Sequence, residues 1–344
     1  MSSRYVLRAA FAVDGNVRTG NPAAVVLLDP DADDFFSQTS AASREHQALA
    51  SDIKLSETAF ASELVGARDD GSSLATFRIR WFTPTQEIGL CGHASMATAA
   101  AALETREGDQ GSTGVEFIYR DGTLTIERDA SDSERYVMEM EASAPEAFEG
   151  ALEAVKTIRD AFESASEFAF GVNSNDMRDA LARTTFDATR NSIGDTFLVI
   201  NGAEEDAHLV DIVSSAYLRL PKPDFGKIAL VGGRGVCVVV PRCPLSLNVP
   251  VAAGAQPEYC VRWFGPLVGI DEDPVTGSAC CGVAPLLARI LPRQLREHEY
   301  FFGYQASCRG GHVWCRVKPG DESRVCVAGR CVDVPTLEDC RFGI

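Results

Sequence analysis

A mixed α+β protein made of two copies of one unit is the fold class this sequence predicts. Three observations carry that expectation. The chain has 344 residues, 45% hydrophobic and 24% charged, which is ordinary globular composition and more than one small core absorbs, so two domains are expected. Short segments rich in Val, Ile, Thr and aromatic residues alternate with only a few helical stretches. Arg80-Trp81-Phe82-x-Pro84 recurs as Arg262-Trp263-Phe264-x-Pro266, and each copy leads to a glycine, Gly92 or Gly277, that opens a helix of small residues. Five matching positions alone could be chance. The shared order of strand, proline, loop, glycine and helix makes duplication the better reading.

In chain order, YVLRAAFAV, AAVVLLD, ETAFASEL, ATFRIRWFT, GVEFIYRDGTLTIE and RYVMEME read as strands, with a hairpin signal in DGTL at 121–124. The segment SAPEAFEGALEAVKTIRDAFESA reads as a helix, with Leu152, Val155, Ile158 and Phe162 on one face. It lies in an acidic stretch from 129 to about 195 that matches no motif. The domain junction is placed at 141–146. Strands return with DTFLVI, AHLVDIV, GVCVVVP and YCVRWF, and HVWCRV, RVCVAG and RCVDV complete a sheet-rich second half.

Composition also excludes function classes. A net charge of −17, from 49 acids against 32 bases, repels phosphate backbones and anionic lipid, so neither nucleic acid nor a membrane is an expected partner. The longest apolar runs, AAVVLL and ATAAAAL, are far short of a span. The first residues, MSSRYVLRAAFAVDG, look like a first strand rather than a signal peptide. Eleven cysteines, an odd number without a C-x-x-C pair or a histidine at zinc spacing, read as reduced thiols in a cytoplasmic compartment. VGGRGVCVVV lacks the spacing of a dinucleotide loop, and TGSAC lacks the second glycine of a nucleophile elbow.

GNPAAVVL at 20–27, LSETAF at 55–60, LCGHAS at 90–95, RWFGPLVGIDEDPVTGSA at 262–279 and YQASCRGGHVW at 304–314 resemble the PhzF (phenazine biosynthesis-like) family, in order over nearly the whole chain. The resemblance implies a diaminopimelate-epimerase-like architecture: two pseudo-symmetric domains, each a curved, barrel-like sheet around a central helix, with the active site between them. The halves would be residues 1–142, with the C-terminal segment 328–344 crossing back, and residues 143–327. It further implies an isomerase that moves a proton between carbons, with no metal and no organic cofactor. A small carboxylate-bearing substrate is the expected partner, and a homodimer is compatible with the sequence.

The residues support that chemistry on their own terms. Removing a proton from carbon and returning it elsewhere needs one group that both accepts and donates. A carboxyl in a partly dry cleft suits the task, because desolvation raises its pKa toward neutrality. Glu57, at the mouth of an apolar strand, is the candidate; the plainer alternative is a strand-end glutamate in an ion pair. The family's acid/base glutamate maps onto it. His93 follows Gly92 at a helix start, where the positive end favours neutral imidazole; it caps its own helix or, as the family implies, orients substrate. Asp273 caps the helix that follows or accepts from a substrate amine or hydroxyl, the family's choice, while Asp271 and Glu272 are expected to be solvated. Ser278 caps that helix or binds a substrate oxygen. The helix starts at Gly92 and Gly277 offer backbone N–H groups to a carboxylate or oxyanion.

Cys91 stands where the first thiol of a two-thiol racemase would be. The second would fall near Thr276, so a cysteine-dependent racemase or epimerase is the alternative enzyme, and a non-catalytic binding protein that keeps the fold is the alternative of another class. Cys280 and Cys281 are expected to face the core. Arg309, in the turn Arg309-Gly310-Gly311, is a further candidate anion partner.

Overall fold

The computed structural model describes residues 5–341, except 31–34, 65–72, 106–111, 166–167, 169–171, 253, 292, 294 and 297. The chain divides into one unit of residues 1–140 with 326–344, and a second of residues 141–325. In chain order the first holds β1 (Val6–Ala10), β2 (Asn21–Leu28), α1 (Ala41–Ile53), β3 (Glu57–Glu63), β4 (Leu74–Phe82), β5 (Glu87–Ile88), α2 (Gly92–Thr105), β6 (Gly114–Tyr119), β7 (Gly122–Asp129) and β8 (Asp132–Glu141). The second holds α3 (Ala151–Glu163), α4 (Ser174–Arg183), β9 (Thr184–Arg190), β10 (Asp195–Gly202), α5 (Ala207–Arg219), α6 (Phe225–Leu230), β11 (Gly235–Val240), β12 (Tyr259–Phe264), α7 (Cys280–Ile290), β13 (Phe301–Gln305) and β14 (Gly311–Lys318). The long β15 (Asp321–Asp333) runs from the second unit into the first, where α8 (Leu337–Arg341) ends the described chain.

The first unit is a closed barrel of eight strands in the order β1-β2-β3-β4-β6-β7-β8-β15, sealed where β15 pairs antiparallel with β1, Arg8 opposite Asp333 and Ala10 opposite Cys331. Closure removes the exposed edges that an open sheet must protect. It also buries one helix. α2 packs against β1, β2, β3, β6 and β7, and every residue from His93 to Leu103 is buried. Its alanines suit that place, since small side chains let a helix sit inside a ring of strands. The buried hydroxyls of Ser95 and Thr98 donate to the carbonyls of Cys91 and Ala94 one turn earlier, at 2.6 and 2.7 Å, so neither hydroxyl is stranded.

The second unit repeats the plan. Its strands follow the order β9-β10-β11-β12-β13-β14-β15. The pairings β9–β10, β10–β11, β11–β12, β12–β13 and β13–β14 are antiparallel, parallel, antiparallel, parallel and antiparallel. That is the succession of β1–β2, β2–β3, β3–β4, β4–β6 and β6–β7. α2 lies in the β4-to-β6 crossover and α7 in the β12-to-β13 crossover. This is the mixed α+β architecture of two similar units that the sequence predicts.

The repeated arginine has the same work in both. Arg262 is 1% exposed and its guanidinium forks onto Glu272 at 2.7 and 2.8 Å while donating to the carbonyls of Tyr217 and Leu220. Arg80 forks onto Glu87, both bonds 2.9 Å, and donates to the carbonyl of Phe35 and the hydroxyl of Ser43. Burial pushes the Glu87 carboxyl up, but bonds from Arg80 and Arg120 outweigh it and hold the group below its ordinary value.

Four readings change. AHLVDIV is not a strand but the first half of α5, where Leu209, Val213 and Tyr217 are buried one turn apart; seven residues are too few to separate the two periods. Leu152 is 80% exposed, so the α3 face begins at Val155. Glu272 is not solvated but is the Arg262 partner. RVCVAG and RCVDV form the single strand β15.

Cutting Arg262 to Ala leaves the Glu272 side chain, 11% exposed, without its partner and two carbonyls without donors. Breaking such a buried pair costs about 3–5 kcal/mol. Urea unfolding of Arg262→Ala should show a loss of that size, and a loss below about 1 kcal/mol would mean that the clamp is not structural.

Candidate active site

Glu57 is the first residue of β3 and is placed there by the end of α1. Lys54 takes φ 58 and its N–H bonds the Ala50 carbonyl, a left-handed cap that turns the chain out of the helix. β3 then starts with Glu57 opposite Ala23 of β2. The Glu57 carboxyl is 8% exposed. At the start of α2, also in the first unit, stand Cys91 and His93, both buried. His93 Nε2 lies 3.3 Å from Glu57 Oε2, and Cys91 Sγ lies 3.4 Å from His93 Nδ1. Three side chains from two elements thus converge on one point. The imidazole touches the carboxyl with one nitrogen and the thiol with the other.

Desolvation raises the Glu57 pKa above its ordinary value, while the Ser56 hydroxyl and the Cys91 thiol beside it pull the other way. The balance favours the protonated carboxyl more than in water, which is what a group that must both give and take a proton requires. Gly92 packs closely on Met138, whose Cε a Cβ there would meet at 3.1 Å.

The ligand atoms of Glu57, Cys91 and His93 all lie within 4.8 Å of one another, the one such group among the described residues. A thiolate, an imidazole and a carboxylate are also a zinc-compatible set. Local spacing rules miss it, because Glu57 comes from β3 whereas Cys91 and His93 stand at the start of α2.

The second-unit candidates form their own network. Asp273 is buried and accepts from the Thr276 hydroxyl at 2.5 Å. Its N–H bonds the Trp263 carbonyl at 3.1 Å. Gln305, 1% exposed on β13, locks this turn from both sides. Its amide nitrogen donates to the Asp273 carbonyl at 2.7 Å, and its oxygen accepts from the Thr276 N–H at 2.9 Å. Gln305 was missed in the sequence, although it sits in the stretch YQASCRGG; nothing in its neighbours marks it as a brace.

Gly277 and Ser278 do not open α7 directly. Gly277–Ala279 is a 3-10 turn, with α7 starting at Cys280. Ser278 makes no cap; its hydroxyl accepts from Arg234 at 3.0 Å. Arg234 is paired with Asp195, a fully buried carboxylate that also accepts from Trp263 Nε1. Arg234 and Asp195 are two further residues that sequence reading passed over, the first because VGGRG was weighed only as a nucleotide loop. Arg309 is 4% exposed, in the turn between β13 and β14. Gly310 next to it takes φ +68, and a Cβ would stand 2.0 Å from the Tyr304 hydroxyl, so only glycine fits. Cys280 and Cys281 are buried, as expected. Among the described residues no helix is long and apolar enough to cross a membrane.

Comparison with known proteins adds kinship. A family model described as "Phenazine biosynthesis-like protein" matches residues 9–336. An uncharacterized isomerase of Pseudomonas aeruginosa is 32% identical over 314 residues, covering 91% of this chain and 90% of that protein. A phenazine biosynthesis-like domain-containing protein of Rattus norvegicus is 31% identical, covering 87% of each. A PhzF-family crystal structure from Enterococcus faecalis superposes with a TM-score of 0.62 at 26% identity, over 96% of this chain and 95% of that one.

The Glu57 burial carries a stability test. A carboxyl whose folded pKa is raised costs nothing below its unfolded value of 4.5, and the cost grows as pH rises from there through the raised value. Glu57→Gln removes a group that must ionise in a dry place. Its melting temperature should exceed that of the parent at neutral pH, and the gap should close as pH falls below the ordinary carboxylate range. A gap independent of pH would overturn the desolvation account.

Proposed function

The chain belongs to the phenazine biosynthesis-like (PhzF) family and is an isomerase, and from that premise we propose that it shifts a proton between carbons of a small carboxylate-bearing substrate by acid/base catalysis, with Glu57 as the group that moves it. The observation that carries this reading is the buried Glu57 carboxyl 3.3 Å from His93. Ionised Glu57 takes a proton from a carbon whose electrons can spread into a neighbouring carboxylate or double bond. The protonated carboxyl then returns it to another carbon of the same system. His93 holds the carboxyl in register, its Nε2 3.3 Å from Oε2. The first turn of α2, at Gly92, offers backbone N–H groups to the negative charge that develops. Within the second unit, Arg234 donates to the Ser278 hydroxyl and the Thr276 hydroxyl donates to Asp273. Arg309 remains a candidate anion partner. No step requires a metal or an organic cofactor.

One contact favours a second reading. Cys91 Sγ at 3.4 Å from His93 has a base beside it, as a nucleophilic or proton-carrying thiol needs. A two-thiol inversion needs an opposing sulfur, and Thr276 occupies the position where the sequence places it.

Substitution separates the two. In deuterium oxide, with a carboxylate substrate that turns over, Glu57→Gln should lower exchange by about 10²- to 10⁴-fold, while Cys91→Ser retains most of it. The reverse order would establish the thiol as the carrier. Dialysis against a zinc chelator should leave turnover unchanged; activity lost there and restored by zinc would instead make Glu57, Cys91 and His93 ligands of a Lewis acid.

A further inference from the structure

Away from Glu57 and from the Asp273 turn, the second unit holds two thiols in contact. Cys260 is a buried residue of β12, and Cys243 lies half-buried just beyond the end of β11. The Cys260 thiol donates to Cys243 Sγ across 3.2 Å. Backbone fixes both positions. β11 and β12 pair with Val240 opposite Cys260, and the Cys243 N–H bonds the Glu258 carbonyl at 2.8 Å. The sulfurs need to close by only about 1 Å to reach disulfide bonding distance.

We infer that Cys243 and Cys260 are a redox-modification site, a dithiol that oxidants of the small-disulfide class convert reversibly to an intramolecular disulfide. The inference does not depend on the catalytic reading above. The two thiols have unequal parts. The hydrogen bond from Cys260 holds the Cys243 thiol below its ordinary value, against its burial, whereas burial pushes Cys260 well above. Cys243 is therefore the more acidic and the more accessible, which makes it the attacking sulfur.

With oxidised glutathione the atoms balance. The Cys243 thiolate attacks one glutathione sulfur, the glutathione disulfide bond breaks, and the first glutathione leaves, taking up the proton that Cys243 lost. Cys260 then gives up its proton and attacks Cys243 Sγ, displacing the second glutathione, which takes that proton. Two protein thiols are oxidised and one small disulfide is reduced to two thiols. The product ties β12 to the segment that follows β11, closing a loop between positions 17 apart. Such a loop restricts the unfolded chain more than the folded one, so oxidation should raise the thermal midpoint.

The full chain is incubated with oxidised glutathione, alkylated, digested without reductant and analysed by peptide mass spectrometry. A linked Cys243–Cys260 peptide pair is expected, lost on treatment with dithiothreitol, absent from Cys243→Ser and retained in Cys308→Ser, whose cysteine is exposed. Recovery of both residues alkylated, of Cys243 as a stable glutathione adduct, or of Cys243 linked to Cys308 would each overturn the inference. Cys260 is a core residue, so Cys243→Ser carries the test, with its circular dichroism spectrum compared to that of the parent.

Discussion

α2 has no exposed face between His93 and Leu103, and the chemistry of the first unit follows from that constraint. A helix ringed by strands cannot carry working polar groups along its sides, where each would need a buried partner. Its first turn is different. The N–H groups there have no acceptor within the helix and must find one outside it. Cys91, Gly92 and His93 occupy that end, and β3, a barrel strand beside the helix, begins with the carboxyl that meets them. Barrel closure, helix burial and the raised Glu57 pKa are therefore one chain of causes. If the barrel opened, water would reach Glu57 and its carboxyl would behave like any other.

The arginine in each copy of Arg-Trp-Phe-x-Pro explains why that motif persists after duplication. Its planar fork satisfies a carboxylate with two donors and leaves others for carbonyls of neighbouring segments. In the second unit it reaches the end of α5 through Tyr217 and Leu220, and in the first it reaches Phe35. Lysine could make one of these bonds at a time but not the set. The motif is thus a brace that fixes the strand carrying the next loop, and the loop after it carries Cys91 in one unit and Asp273 in the other.

Much of this was legible in the sequence because it is local or repeated. Strand alternation placed most of the strands, the RWFxP echo placed the duplication, and the family motifs singled out Glu57 and His93. What escaped reading is non-local. Gln305 braces a turn around residue 275, the Asp195 carboxylate is held by Arg234 from the bend before β11, and the contact between Cys243 and Cys260 depends on the pairing of β11 with β12. None of these leaves a periodic or compositional trace. The α5 error has another origin: its first seven residues fit either period, and only the later buried Tyr217 decides. Glu272 looked solvated for the same reason as its neighbour Asp271, because a charged loop residue gives no sign of a buried arginine waiting for it.

The pairing of Ala10 with Cys331 has a consequence for how the protein is made. β1 leaves the ribosome long before its partner β15. Until β15 is synthesised, β1 and β8 are unpaired edges, and the whole second unit must be translated in the interval. Such long-range closure is slow, and open edges of nascent chains invite pairing with other chains. Vectorial synthesis therefore favours completion of most of the second unit before the first can seal, so the Glu57 compartment sheds its water only after that.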